Sequence, residues 1–210
     1  MSLEDFGKQQ LSDPEHPLFP IVEDQFDDWS ITPGVAAYMW RQLQLRKPQQ
    51  IVDMGSGLST VIAAAYAAQT EGARVLSIDH DPQYAARTSQ RLESLQLSHV
   101  VDLHVSPLVC HGETQGYSLT DALKPLILRA KFDFVFVDGP PSYLAHRRHS
   151  LPLVATNIGP EAILMLDDWY RDDEQKTWVE WRKRYKEIRD CQLVASERGL
   201  MVGYWRRDVA

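Results

Sequence analysis

The period of the apolar positions changes several times along the chain, and each change marks an element. Residues 1–30 keep no sustained period: Pro14, Pro17, Pro20 and several acids separate the anchors Leu18, Phe19, Ile21, Val22 and Phe26. Apolar residues in such a segment predict an irregular arm, draped over a domain of residues 31–210. From Thr32 to Arg46 the spacing turns helical. Thr32 stands as N-cap, Pro33 opens the first turn, and Ala36, Met39, Trp40 and Leu43 share a face until Pro48 ends the run.

Short β-rich runs then alternate with helical stretches. Strands are expected over Gln50–Met54, Arg74–Ile78, Val100–Val105, Phe132–Val137 and Ala162–Leu166. Helices are expected over Leu58–Ala68, from Asp81-Pro82 through Leu95, and over Thr120–Ala130. Residues 106–119 read as loop, and residues 143–157 as a helix that Pro152 kinks or restarts. Trp178, Trp181, Tyr185 and Ile188 share a helical face over Asp173–Ile188 and read as core. Gln192–Ala195 and Leu200–Trp205 flank the turn at Arg198-Gly199. The fold predicted is α/β: a doubly wound, mostly parallel seven-stranded sheet, covered on both faces and ending in an antiparallel hairpin. Ligands of such sheets collect at the carboxyl ends of the strands, near the reversal of strand order. Asp53, Asp79, Asp138 and Asp167-Asp168 each close a β-run, which points to a shared site.

Composition narrows the class. The 210 residues are 44% hydrophobic and 24% charged, enough apolar material for a real core. No segment approaches the ~20 apolar residues of a membrane span, and the acidic start lacks the apolar core of a secretory signal. The two cysteines, Cys110 and Cys191, lie far apart and fit a cytoplasmic location. A net charge of −7 argues against nucleic acid or anionic membrane as partner. A small-molecule acceptor is the partner expected, and a homodimer is compatible.

The candidate chemistry begins at Asp53-Met54-Gly55-Ser56-Gly57-Leu58-Ser59-Thr60. Gly55 and Gly57 permit a tight bend and close ligand approach at a helix N-terminus, although a turn needing positive φ accounts for many such pairs. Thr60 stands where a dinucleotide-binding fold carries its third glycine. Asp53 would repel a pyrophosphate but suits a cationic ligand, such as the ammonium and sulfonium of S-adenosylmethionine. Ser56 lies within the bend, Ser59 and Thr60 are placed to take that ligand's carboxylate, and Asp79 to accept from ribose hydroxyls, with His80 flanking the ribose through its backbone.

With these residues the chain resembles the class I S-adenosylmethionine-dependent methyltransferases. The resemblance rests on IVDMGSGLST (51–60), VLSIDHD (75–81), FDFVFVDGPP (132–141) and AILMLDDW (162–169). It is nearest a small-molecule O-methyltransferase branch with Trp29-Ser30-Ile31 before the domain and a stretch here formed by Asp167, Asp168, Arg171 and Glu174. It implies a Rossmann-like methyltransferase fold, transfer of the methyl to a small-molecule hydroxyl, and an adenine pocket at Ser106 and Pro107. Relatives use strand-end acids to hold a divalent ion, so Asp138, Asp167 and Asp168 are expected to bind Mg²⁺, with Asp138 and Asp168 organising the acceptor. Ion pairing with Arg147 or Arg171, or simple capping, accounts for the same acids. Relatives also carry a lysine or acid soon after the fourth-strand aspartate, where this chain has Gly139, Pro140 and Pro141. His146 is then the candidate general base, beside His149; a solvated helix face explains the same His146–His149 run. Trp169 and Tyr170 either wall the acceptor pocket or pack. An NAD(P)-dependent oxidoreductase and a non-catalytic cofactor-binding protein are the competing readings. Sugar, polyketide, phenol and amine acceptors all remain open.

Overall fold

The computed structural model describes residues 1–207; the last three residues of the expected 31–210 domain lie outside it. Five parallel strands are built from the apolar runs: β1 (Gln50–Met54), β2 (Arg74–Asp79), β3 (Val101–Val105), β6 (Phe132–Val137) and β7 (Ile158–Leu166). β8 (Ile188–Val194) and β9 (Leu200–Arg206) complete a seven-stranded sheet of order β3-β2-β1-β6-β7-β9-β8, in which β9 runs antiparallel to both its neighbours. The expected fold class is therefore found. Strand order reverses between β1 and β6, which pair in parallel through Ile51–Met54 and Phe134–Val137.

Side-chain alternation divides the sheet's apolar residues between two cores. Ile51, Phe134, Phe136, Ile163 and Met165 face α3 (Pro33–Arg46), α4 (Leu58–Ala68) and α5 (Pro82–Ser94). Val52, Met54, Val137, Leu164 and Leu166 face the other layer, formed by α6 (Leu123–Arg129), α7 (Ser150–Val154) and α8 (Asp172–Arg184). Trp178 and Trp181 are core residues of that second layer, as their spacing predicts. No helix among the described residues is long and apolar enough to cross a membrane.

Four local expectations need correction. The arm is not irregular: α1 (Leu3–Leu11) starts at a Ser2–Asp5 capping box, and α2 (Phe19–Val22) follows. Residues 106–119 are not loop but hold a separate two-stranded hairpin, β4 (Leu108–His111) with β5 (Thr114–Tyr117). Residues 143–157 fold as two 3₁₀ turns around α7 instead of one helix. The helix expected to reach Ile188 ends at Arg184, because Ile188 starts β8.

The arm is fastened by one carboxylate. Glu4 accepts from Thr32 Oγ1 at 2.6 Å, from Gly34 N at 2.8 Å and from Glu197 N at 2.9 Å, joining α1 to the start of α3 and to the β8–β9 turn. α1 can approach that closely because Gly7 lies on the backbone of Pro33, where an added Cβ would stand 2.4 Å from the carbonyl oxygen. Gly→Ala in an ordinary helix raises stability by about 1 kcal/mol. Here Gly7→Ala is expected to lower it by about 1–3 kcal/mol through overpacking. Urea denaturation of variant and wild type reads the sign directly.

Candidate active site

The site is organised by two glycines at the strand-order reversal. Gly55 ends β1 with φ of 102° and Gly139 follows β6; an added Cβ on Gly55 would stand 2.8 Å from Gly139 N, and one on Gly139 2.7 Å from Gly55 Cα. Met54 O accepts from both Asp138 N and Gly139 N, at 2.8 and 2.7 Å. The two strand ends thus turn away from each other with no side chain between them, and a cleft of about 410 Å³ opens above.

The bend spends its own amides. Gly55 N donates to Ile78 O at 2.9 Å, Ser56 N to Asp79 Oδ2 at 2.6 Å and Gly57 N to Thr60 Oγ1 at 3.2 Å. Asp79 also accepts from Ser56 Oγ at 2.8 Å and Asp81 N at 2.8 Å, with His80 Nδ1 at 3.2 Å. Burial pushes the Asp79 carboxyl upward, but the bonds from His80, Asp81 and Ser56 outweigh it and hold the group below the ordinary carboxylate value. Asp79 is therefore an ionised acceptor on the cleft wall, beside Ser56 and His80.

Asp53 lies elsewhere. It is fully buried beneath the bend, where Ser59 Oγ and Thr60 Oγ1 donate to it. Burial raises its carboxyl to about 7, against the lowering effect of those hydroxyls. The expectation that Asp53 meets a cationic ligand while Ser59 and Thr60 offer their hydroxyls to a carboxylate is corrected on this point: the three groups satisfy one another under the loop. Ser59 does line a second, adjoining cavity of about 230 Å³, together with Gly57, Ser30 and Arg87.

At the opposite rim the strand-end acids surround a guanidinium. Arg147 is 4% exposed and donates through Nη2 to Asp138 Oδ1 at 3.1 Å and Asp168 Oδ2 at 2.8 Å. Its Nη1 donates to Asp167 O at 3.1 Å and its Nε to Pro140 O at 3.3 Å, with Glu174 Oε1 at 3.4 Å. Arg171 approaches Asp168 Oδ2 at 2.7 Å, and Arg198 approaches its Oδ1 at 4.0 Å. Burial works against the charge on Arg147, but Asp138, Asp168 and Glu174 overcome it and raise its affinity for the proton. Burial, then the neighbouring acids, raise Asp138 well above the carboxylate range and Asp167 to about 7.

The expectation of a Mg²⁺ site at Asp138, Asp167 and Asp168 is corrected accordingly. Nη2 stands between the two oxygens that an ion would bridge, and Asp167 is fully buried and outside the cleft lining. Among the described residues no group of three or more His, Cys, Asp or Glu side chains is placed to hold a metal ion. The residues present do not fit one.

Two further groups of candidates lie outside the lining of this cleft. His146 is absent from the cleft lining; its N–H donates to Gln115 O on β5, while the next residue, Arg147, reaches inward. His149 accepts or donates at Thr114 Oγ1 and stacks on His111, 4.4 Å between centroids. Ser106 and Pro107 also lie outside the lining, and Ser106 Oγ donates to Ser118 O at 2.7 Å, bracing the hairpin. The cleft walls that sequence reading did not single out are aromatic. Tyr84 and Tyr143 flank Trp29 at 6.5 and 6.3 Å between centroids, and buried Tyr117 closes the floor beside Gly139. Trp29 was legible from its segment; Tyr117 was hidden by the unrecognised hairpin.

Fold and crevice together define a doubly wound α/β protein with its ligand site at the β1–β6 reversal. Residues 52–169 match the methyltransferase domain family, and the chain belongs to that family. No curated protein matches it. Among solved structures it is similar to the O-methyltransferase from Bacillus cereus in complex with SAH, at 13% identity over 97% of each chain and a TM-score of 0.71. It is also similar to the O-methyltransferase TomG from Streptomyces achromogenes, involved in tomaymycin synthesis and in complex with SAM (15% identity, 98% of this chain and 96% of that one, TM-score 0.67). A third is SAH-bound methyltransferase PaMTH1 from Podospora anserina, with 16% identity, 97% and 95% of the two chains, and a TM-score of 0.69. At these identities the likeness is one of fold.

Asp53 supplies a test of the bend. Its folded value of about 7 exceeds the unfolded value of about 3.9, so its contribution to stability is complete below the unfolded value and is lost as pH rises through 7. Asp53→Asn is expected to lose markedly less stability between pH 5 and pH 8 than wild type, by an amount on the order of a few kcal/mol. Denaturation midpoints across that range measure the difference.

Proposed function

We propose that the protein is an S-adenosylmethionine-dependent O-methyltransferase acting on a small-molecule hydroxyl. The observation that carries this reading is the bend. The amides of Gly55, Ser56 and Gly57 already have protein acceptors, and the ionised Asp79 stands beside them. A pyrophosphate would meet a carboxylate and none of those three donors, which disfavours a nicotinamide dinucleotide. A phosphate-free, positively charged nucleoside suits the same surface. The solved structures described above as bound to SAM or SAH give the same direction by similarity.

When bound, S-adenosylmethionine supplies an already activated methyl group on its sulfonium. The protein's part is proximity, orientation and proton removal. Asp79, with Ser56 and His80 beside it, would accept from the ribose hydroxyls, and the bend from Gly55 to Gly57 would let the nucleoside lie against backbone. Trp29, Tyr84 and Tyr143 line the cleft and offer it an aromatic wall. Asp138 is the acid of the cluster with an exposed portion, 19% of its side chain, so it is the group placed to hydrogen-bond and orient the acceptor's hydroxyl. Asp168, pinned by Arg147 and Arg171, keeps the wall behind it in place.

Isothermal titration with S-adenosylhomocysteine and with NADH separates the readings. Heat from S-adenosylhomocysteine and none from NADH is expected. Asp79→Ala should weaken the former roughly tenfold to a hundredfold, the loss of hydrogen bonds to a charged acceptor. Binding of NADH without S-adenosylhomocysteine overturns the proposal.

A further inference from the structure

Arg147 has more partners than a surface charge needs and no freedom to leave them. Its planar fork meets two carboxylate oxygens, two backbone carbonyls and the edge of a third acid from a position 4% exposed. A guanidinium keeps its charge at every pH the fold survives, and withdrawing it would take from buried Glu174 its ion-pair partner and from buried Asp168 one of its partners. The residue is brought there by a 3₁₀ turn, Arg147–His149, which Trp181 of α8 anchors by donating to Arg148 O at 2.9 Å.

A divalent ion ligated by Asp138 and Asp168 would need their oxygens at about 2.0–2.6 Å from one centre. Nη2 is hydrogen-bonded to one oxygen of each acid, at 3.1 and 2.8 Å, and so takes up the space between them. The two arrangements exclude each other sterically as well as by charge. We infer that Arg147 is a built-in replacement for the divalent cation: a positioning residue that holds Asp138 and Asp168 at the acceptor wall, so that this chain neither binds nor needs a metal there. The inference rests on the methyl-transfer reading for its purpose, though not for its geometry.

Two consequences follow for the acceptor. A metal ion can chelate two neighbouring substrate oxygens at once; a guanidinium already bonded to two carboxylates and two backbone carbonyls is not arranged to do so. Recognition therefore does not require a pair of adjacent oxygens, and a single hydroxyl presented to Asp138 suffices. Arg171 and Arg198, on the cleft side of Asp168, are the cationic groups left to meet the rest of the molecule.

Manganese titration followed by electron paramagnetic resonance tests this, with S-adenosylhomocysteine binding measured on the same samples. Wild type is expected to leave Mn²⁺ free, and EDTA to leave S-adenosylhomocysteine affinity unchanged. Arg147→Ala is expected to acquire one Mn²⁺ per chain, and the double variant Arg147→Ala with Asp138→Asn to lose it. A merely structural arginine would give no such gain. One Mn²⁺ bound per wild-type chain and lost in Asp138→Asn overturns the inference, as does a folded Arg147→Ala that binds none. If Arg147→Ala fails to fold, the wild-type titration decides alone: free Mn²⁺ supports the inference and Asp138-dependent binding overturns it. Absence of S-adenosylhomocysteine binding in wild type would instead count against the proposed function, whatever the manganese does.

Discussion

The whole site depends on two backbones coming within contact where the sheet reverses direction. Any side chain at Gly55 or Gly139 would strike the other strand's end, so β1 and β6 can diverge there only as glycine against glycine. That divergence opens the cleft, sends the first bend under Asp79, and turns the chain after β6 toward the Arg147 turn. The wall that carries Asp79 and the wall that carries Asp138 are thus two outcomes of one close approach. Substitution at either glycine acts on both at once.

Charge in the site is arranged in two different ways. On one side a carboxylate, Asp79, is kept ionised by four donors and presented at the cleft. On the other, Asp138, Asp168 and Glu174 are gathered around the permanent cation of Arg147. Asp53 shows the third possibility, an acid hidden under the loop whose role is to tie Ser59 and Thr60 together. Residues of one chemical type at successive strand ends therefore do three separate jobs, decided by what reaches each of them.

That difference also explains what the sequence could reveal. The five parallel strands and their helices were legible because alternating and helical periods survive in runs such as FDFVFV and LSTVIAAAYAA. The gathering of Asp79 and Asp138 around one cleft was legible too, since strand ends in a parallel sheet lie together. The β4–β5 hairpin was not: LVCH and TQGY are short and mixed in polarity, so neither carries a strand's alternation. The helix α1 was obscured by the proline-rich segment beside it, although Ser2 and Asp5 carried a capping signal. Arg147 lay in a run of four basic or titratable residues, and only the 3₁₀ turn decides that it, and not His146, points inward. Spacing along the chain carries no information on that choice.

A crystal structure with S-adenosylhomocysteine tests the account most directly. It should place the ribose hydroxyls within about 2.6–3.2 Å of the Asp79 carboxylate, with the Arg147 guanidinium still between Asp138 and Asp168. A ribose bound away from Asp79, or a metal ion between those two acids with Arg147 turned out, would contradict it.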